Sequence, residues 1–130
     1  MLQPDERRLC DLLWWLALAH IAGGLVLPFV ALATPLLDGV AAAAGLGKLG
    51  LALFGPTVAS WGVLLAFLTH YGLRRRSRWA CDALIAAVLV WMPLDFFLCL
   101  SQRLWAGVVV DALVLPLLLA PPLLLRRRYV

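Results

Sequence analysis

The sequence predicts an all-α integral membrane protein, a four-helix bundle with up-down-up-down topology. Hydrophobic residues make up 65% of the 130 residues and charged residues 14%, so a soluble domain of this size would expose more apolar surface than it could bury. Four apolar stretches each approach the roughly 20 residues that cross ~30 Å of hydrocarbon. Since little chain is left outside them, residues 1–130 are predicted to form a single transmembrane domain.

The four spans are predicted in order along the chain, joined by one loop and two tight turns. We place them at about residues 12–33, 50–71, 79–100 and 104–125. Nine of the 11 Lys and Arg residues lie before the first span, between the second and third, and after the fourth; Lys48 and Arg103 lie on the other side. Cytoplasmic loops are enriched in Lys and Arg, so both termini are expected in the cytoplasm. The membrane is expected to be the plasma membrane, a bacterial inner membrane.

The basic residues flank the apolar spans and do not form a stripe mixed with exposed aromatic side chains. This pattern indicates topology rather than nucleic-acid binding, so no nucleic-acid partner is expected. The loop of residues 34–48 is too short to cross the bilayer and too apolar to float free, so we expect it on the outer membrane surface.

Each span contains a proline, which removes a backbone donor and strains the preceding turn, so kinks are expected in all four helices. The prolines are Pro28, Pro56, Pro93 and Pro116. The first three lie at a similar depth, ~8–11 Å below the outer surface by helical rise. Bends at a shared depth would open a cavity between the helices, unless neighbouring helices repair each kink.

Small residues recur at spacings of three and four along the second span, which places them in one stripe on a helix. They are Ala52, Gly55, Ala59, Gly62, Ala66 and Thr69. Small side chains let a neighbouring helix approach closely, and in lipid such packing drives association. The stripe therefore predicts a docking groove within the monomer; a homodimer seam or a contact with another membrane protein is the alternative.

Two intramembrane carboxylates are the leading candidates for a binding site. Asp95 lies about five residues inside the third span and Asp111 about seven residues inside the fourth. A tight turn joins these spans, so the carboxylates should reach similar depths, ~8 and ~10 Å below the outer interface. A charged group in the membrane is costly unless it is protonated, paired or hydrated, which makes such residues functional candidates. The alternative is a structural role in which Arg103 or helix hydroxyl groups satisfy the acids.

Four further residues complete the predicted ligand site. Thr57 reaches the same layer of the membrane and Ser60 lies one turn deeper, so both could donate hydroxyl groups to the pocket. Trp91 lies deep enough in its span to line a cavity. His20 lies near the middle of the first span, where it could relay protons or hydrogen-bond between helices.

The sequence contains no phosphate-binding loop, metal-ligand motif or nucleophile motif, so no cofactor and no metal are expected. Our leading interpretation is a non-enzymatic membrane protein that binds, and could transport, a lipid or amphipathic small molecule in an outward-facing cavity. One alternative is a membrane-embedded acid–base enzyme such as an isomerase, with His20 and one aspartate flanking a hydrophobic substrate. Another alternative is an accessory subunit of a larger membrane complex.

Overall fold

The computed structural model describes residues 2–43, 45 and 47–129, and every regular element in them is helical. There are five α-helices: α1 (Pro4–Ala33), α2 (Asp38–Ala43), α3 (Gly47–Phe67), α4 (Arg78–Ser101) and α5 (Trp105–Arg128). Helix α3 continues into a π-helical turn at Leu68–Gly72 and a 3₁₀ turn at Leu73–Arg75.

Among the described residues, four helical segments are long and apolar enough to cross a membrane: Pro4–Ala33, Gly47–Arg75, Arg78–Ser101 and Gly107–Arg128. The prediction of an all-α chain with four candidate spans is therefore confirmed. A chain with four such helices has the architecture of a multi-pass membrane protein.

The helices extend beyond the predicted spans, most of all at the N terminus. Helix α1 begins at Pro4 rather than near residue 12, because proline suits the first helical position, where the backbone N–H would have no partner. Asp5 and Glu6 follow in the first turn, where carboxylates interact favourably with the helix dipole. The Gln3 N–H also donates to Glu6 Oε2 at 2.9 Å, so the added turns are locally stabilised.

The connection between the first two spans contains more structure than the sequence predicted. It includes the short helix α2, and an ion pair of 2.8 Å joins Asp38 at its start to Lys48. Gly45 and Gly47 have positive φ angles of 65° and 64°, a conformation that glycine adopts without steric penalty. Two residues of this predicted surface loop, Ala44 and Leu46, lie outside the described residues.

Proline occurs inside each of the four long helices, and each helix continues through it. These residues are Pro28, Pro56, Pro93 and Pro116, with Pro121 and Pro122 near the end of α5. Transmembrane helices accommodate proline where neighbouring groups satisfy the freed carbonyl. The bends expected at these positions stay a prediction.

The chain divides into two compact units, and one of them is Leu16–Leu64. Within it, α1 and α3 pack through the small-residue stripe. A methyl group added at Gly62 would lie 2.7 Å from the Ile21 nitrogen and 2.8 Å from the Ala17 oxygen. Only a glycine allows backbones to approach this closely. The stripe is therefore a docking groove within the monomer at this position, and α1 occupies it.

The second unit combines the N-terminal segment up to Trp15 with the chain from Leu65 onward. At one end of this unit, acidic and basic side chains form several ion pairs. Glu6 is fully buried and pairs with Arg76 at 3.0 Å. Further pairs join Asp11 to Arg74, Asp5 to Arg128 and Asp82 to Arg126. These contacts connect the first turns of α1, the turn after α3 and the ends of the α4–α5 hairpin.

Tyr129 lies at the centre of this ion-paired end. Its side chain is 2% exposed, and its hydroxyl group donates a 2.7 Å hydrogen bond to the Leu73 carbonyl oxygen. Burial raises the pKa of the Tyr129 phenol above its usual value, because the phenolate would lose hydration there. The residue thus joins the end of α5 to the turn after α3 in its neutral form.

Candidate functional site: the acidic end of the α4–α5 hairpin

A Schellman turn connects α4 to α5 and determines which side chains face each other. The Leu104 N–H donates to the Cys99 oxygen at 2.8 Å and the Arg103 N–H to the Leu100 oxygen at 3.1 Å. Arg103 occupies the left-handed position with φ 56°, the usual arrangement at the C′ residue of this motif. Helix α4 therefore ends within a few residues, and α5 returns antiparallel to it. The ion pair between Asp82 near the start of α4 and Arg126 near the end of α5 agrees with this arrangement.

The antiparallel return places three potential ligand groups together. A carboxylate oxygen of Asp95, the Cys99 sulfur and a carboxylate oxygen of Asp111 all lie within 4.8 Å of one another. Asp95 and Cys99 are four residues apart on α4, so they share a helix face. Asp111 comes from the facing helix α5. The two aspartates that the sequence singled out are thus neighbours.

Asp111 is the buried member of this group. It is 5% exposed, and its Oδ2 atom has no hydrogen-bond partner among the described residues. Leaving a buried polar atom unsatisfied costs about 1–3 kcal/mol, and more when the group is charged. Asp95 and Cys99 are only partly buried, so of the three groups it is the Asp111 carboxylate that most needs a hydrogen-bond partner or a cation.

Asp111 also lies at an apolar groove between α4 and α5. The groove has a volume of about 470 Å³, within the roughly 300–1,000 Å³ typical of small-molecule sites. It is lined by Val88, Leu89, Met92, Pro93, Phe96, Asp111, Ala112, Leu115 and Leu119. Asp111 is the ionisable group among these residues, so the groove has an apolar lining and one acidic side chain.

Close packing at the turn side of the groove brings the Cys99 sulfur against α5. A methyl group added at Gly107 would lie 2.6 Å from the Cys99 Sγ atom, which is too close for a carbon–sulfur contact. Glycine at this position therefore makes room for the thiol beside the helix that carries Asp111.

The remaining predicted ligand residues are Thr57, Ser60, His20 and Trp91. Thr57 and Ser60 are exposed, and the Ser60 hydroxyl donates to the Thr57 carbonyl oxygen at 2.8 Å. His20 Nδ1 lies 2.7 Å from the Leu16 oxygen of its own helix, so this bond stabilises α1 rather than bridging helices. All three belong to the unit Leu16–Leu64. Trp91 is half-buried in α4 and is not among the residues that line the groove.

The alternative role of Arg103 as a counter-ion to the two acids stays a prediction. Its side chain is exposed, and among the described residues it forms no ion pair with Asp95 or Asp111. The left-handed backbone of the turn, rather than charge pairing, accounts for its position.

Cys99 was not among the ligand residues that the sequence predicted. The signal was present, because Cys99 follows Asp95 by four residues and must share its helix face. The three cysteines of the chain are free thiols, and Cys99 is the one whose sulfur forms a cluster of potential metal ligands with Asp95 and Asp111 among the described residues.

Comparisons with protein-family models, with curated proteins and with solved structures found no match.

Proposed function

We propose that this chain binds a lipid or amphipathic small molecule in the groove between α4 and α5. The polar head would lie at Asp111 and Asp95, and the apolar chain would lie along the groove. The observation that carries this proposal is the buried Asp111 carboxylate at a groove whose other lining residues are apolar; within residues 2–43, 45 and 47–129, its Oδ2 atom has no hydrogen-bond partner. A donor group on a ligand would satisfy that oxygen, and the lining side chains would contact its hydrocarbon.

The chemistry of the acids selects the head group. Carboxylates accept hydrogen bonds and attract cations, whereas an anionic head would meet like charge in a medium of low dielectric. An alkylammonium or hydroxyl head is therefore expected, and a carboxylate or phosphate head is disfavoured. From Asp111 to Leu119 the groove follows about eight residues of α5, or ~12 Å by helical rise, which is long enough for a medium-length alkyl chain.

The membrane orientation is also part of this proposal. Nine of the 11 Lys and Arg residues occur at the two ends of the chain and in the turn after α3, which supports an up-down-up-down arrangement with cytoplasmic termini. The ligand head would then lie in the outer half of the plasma membrane, a bacterial inner membrane. In that orientation the ligand would enter the groove from the outer leaflet. Transport of the ligand across the membrane would be a further step.

Photolabelling can test the proposal on the full chain in zwitterionic-lipid nanodiscs, with chelator present. The probes are laurylamine, lauryl alcohol and laurate, each with a diazirine at the end of the chain. We expect laurylamine to label residues 88–96 and 112–119 and laurate to label them weakly. Asp111→Asn should reduce laurylamine labelling about tenfold, equivalent to ~1.4 kcal/mol, which is near the lower value for a hydrogen bond to a charged group.

Asp82→Asn is the matched control, because Asp82 lies on α4 with Asp95 but pairs with Arg126 at the opposite end of the hairpin. Its labelling should equal that of the wild type. Equal labelling by laurylamine and laurate, or unchanged labelling in both Asp95→Asn and Asp111→Asn, would rule out the proposed head-group site.

A further inference from the structure

We propose that Asp95, Cys99 and Asp111 form a binding site for a thiophilic divalent cation, with Zn²⁺ as the representative ion. This inference goes beyond the binding of an amphipathic molecule, since it concerns the acidic end of the hairpin and an inorganic ligand. The metal site shares Asp95 and Asp111 with the proposed head-group site, but it also needs the Cys99 sulfur and does not need the apolar groove, so the two proposals can be tested separately.

The donor set fits a zinc ion. Zinc is bound by thiolate sulfur at ~2.3 Å and by carboxylate oxygen at ~2.0–2.2 Å, and a site with three protein ligands leaves a fourth position open. The three ligand atoms already lie within 4.8 Å of one another. Side-chain rotations of Asp95 and Cys99, which are only partly buried, can bring them to a common ion while Asp111 stays in place.

A second observation, on which the proposed function also draws, indicates a missing ligand. The Oδ2 atom of Asp111 belongs to a side chain that is 5% exposed, and it has no hydrogen-bond partner in the part of the chain that the structure describes. The other groove residues are apolar and offer no donor. A cation would satisfy this oxygen and would also offset the repulsion between the two neighbouring carboxylates.

The sulfur determines the kind of ion. Magnesium and calcium prefer oxygen ligands, whereas a thiolate favours zinc and related softer ions. On binding, the S–H bond of Cys99 breaks, the thiolate electron pair coordinates the metal, and the proton passes to water. No oxidant or reductant takes part. Gly107 supports the arrangement, because a larger residue would displace the sulfur.

Cobalt provides a direct test, since Co²⁺ is a spectroscopic substitute for zinc in sites with thiolate ligands. The full chain, purified without a histidine tag, would be titrated with Co²⁺ in nanodiscs that contain no amphipathic probe. We expect one equivalent to produce a sulfur-to-metal charge-transfer band that added Zn²⁺ abolishes. Cys99→Ser should remove the band, and Asp111→Asn should weaken Co²⁺ binding at least tenfold.

The other two cysteines supply the controls. Cys10→Ser and Cys81→Ser should keep the band, because neither residue belongs to the Asp95, Cys99 and Asp111 cluster. Gly107→Ala is a second variant that leaves all three ligands present, and it should weaken Co²⁺ binding by displacing the sulfur. If Cys99→Ser does not fold, the Gly107→Ala and Asp111→Asn titrations decide the question.

Either of two results would overturn the metal site: no charge-transfer band in the wild type, or unchanged Co²⁺ affinity in both Asp111→Asn and Gly107→Ala. Photolabelling by laurylamine in the presence of chelator reports on the groove alone. Loss of the metal signal with retained labelling therefore refutes only the metal site, and the reverse result refutes only the amphipath site.

Discussion

Two adjacent glycines of α1 allow the contact between α1 and α3 to be tested with a matched pair of substitutions. Gly24 is buried, and a methyl group added there would overlap the Ala59 nitrogen and lie 2.8 Å from the Ala59 Cα atom. Gly23 is exposed, and a methyl group there would meet nothing within 4 Å. Both residues lie inside the same helix, so the change in helix propensity from glycine to alanine contributes equally to the free energy of unfolding of the two variants.

The expected magnitudes follow from these two environments. Alanine in a helix interior is favoured over glycine by roughly 0.5–1 kcal/mol, so Gly23→Ala should be neutral or slightly stabilising. At Gly24 the atoms in the way belong to the backbone of α3 and cannot rotate aside, so the helices must separate. Overpacking of this kind costs about 1–3 kcal/mol, and the two variants should differ in free energy of unfolding by about that amount.

The measurement is the free energy of unfolding of the full chain in mixed micelles, obtained by titration with a denaturing detergent. Far-UV circular dichroism before titration should be the same for both variants, because each keeps its helices. Equal stability of Gly24→Ala and Gly23→Ala would refute the close approach of α1 to α3.

Three further predictions concern the ion-paired end and the acidic site. Arg76→Ala should lower the free energy of unfolding by about 2 kcal/mol, because it leaves the buried Glu6 carboxylate without its ion-pair partner. Loss of one partner of a fully buried pair costs ~3–5 kcal/mol, and the partial exposure of Arg76 reduces that cost. Arg127 is exposed, so Arg127→Ala should change the free energy of unfolding little. The pKa of Tyr129 is raised in the folded state, so near pH ~10 its phenol should ionise in the unfolded chain alone. Wild-type stability should therefore fall as the pH rises past that value. In an alkaline unfolding series, Tyr129→Phe should lose the part of this pH dependence that Tyr129 contributes. Asp111→Leu should be as stable as the wild type, or more stable by up to ~2 kcal/mol, because it removes a buried oxygen whose hydrogen-bonding capacity is unsatisfied. A marked loss of thermal stability in this variant would mean that the carboxylate has a structural role.

Much of the site was predictable because it depends on one short connection. Asp95 and Asp111 are joined by a turn of a few residues between two long helices, so helical rise alone brings them to one depth. The same argument extends to Cys99 through its spacing from Asp95. The burial of Asp111 and its unpartnered oxygen were not predictable, because they depend on which way α5 is rotated against α4.

Contacts between distant parts of the chain were beyond sequence reasoning for a related reason. The stripe on the second span indicated a docking surface, yet nothing in its spacing identified Ala17 and Ile21 of α1 as the residues that occupy it. The bond from Tyr129 to the Leu73 oxygen and the pair of Glu6 with Arg76 join segments more than fifty residues apart. Several arginines were equally plausible partners for each acid.

Length, hydropathy and periodicity by themselves determined the all-helical architecture and the four candidate spans, because a chain in lipid must satisfy its backbone hydrogen bonds within each span. Only the tertiary structure decided which helix fills the small-residue groove and which carboxylate has a buried oxygen that lacks a hydrogen-bond partner among the described residues. Those outcomes depend on helix rotation and side-chain packing between elements, and the periodicity of one helix carries no information about the neighbour against which it packs.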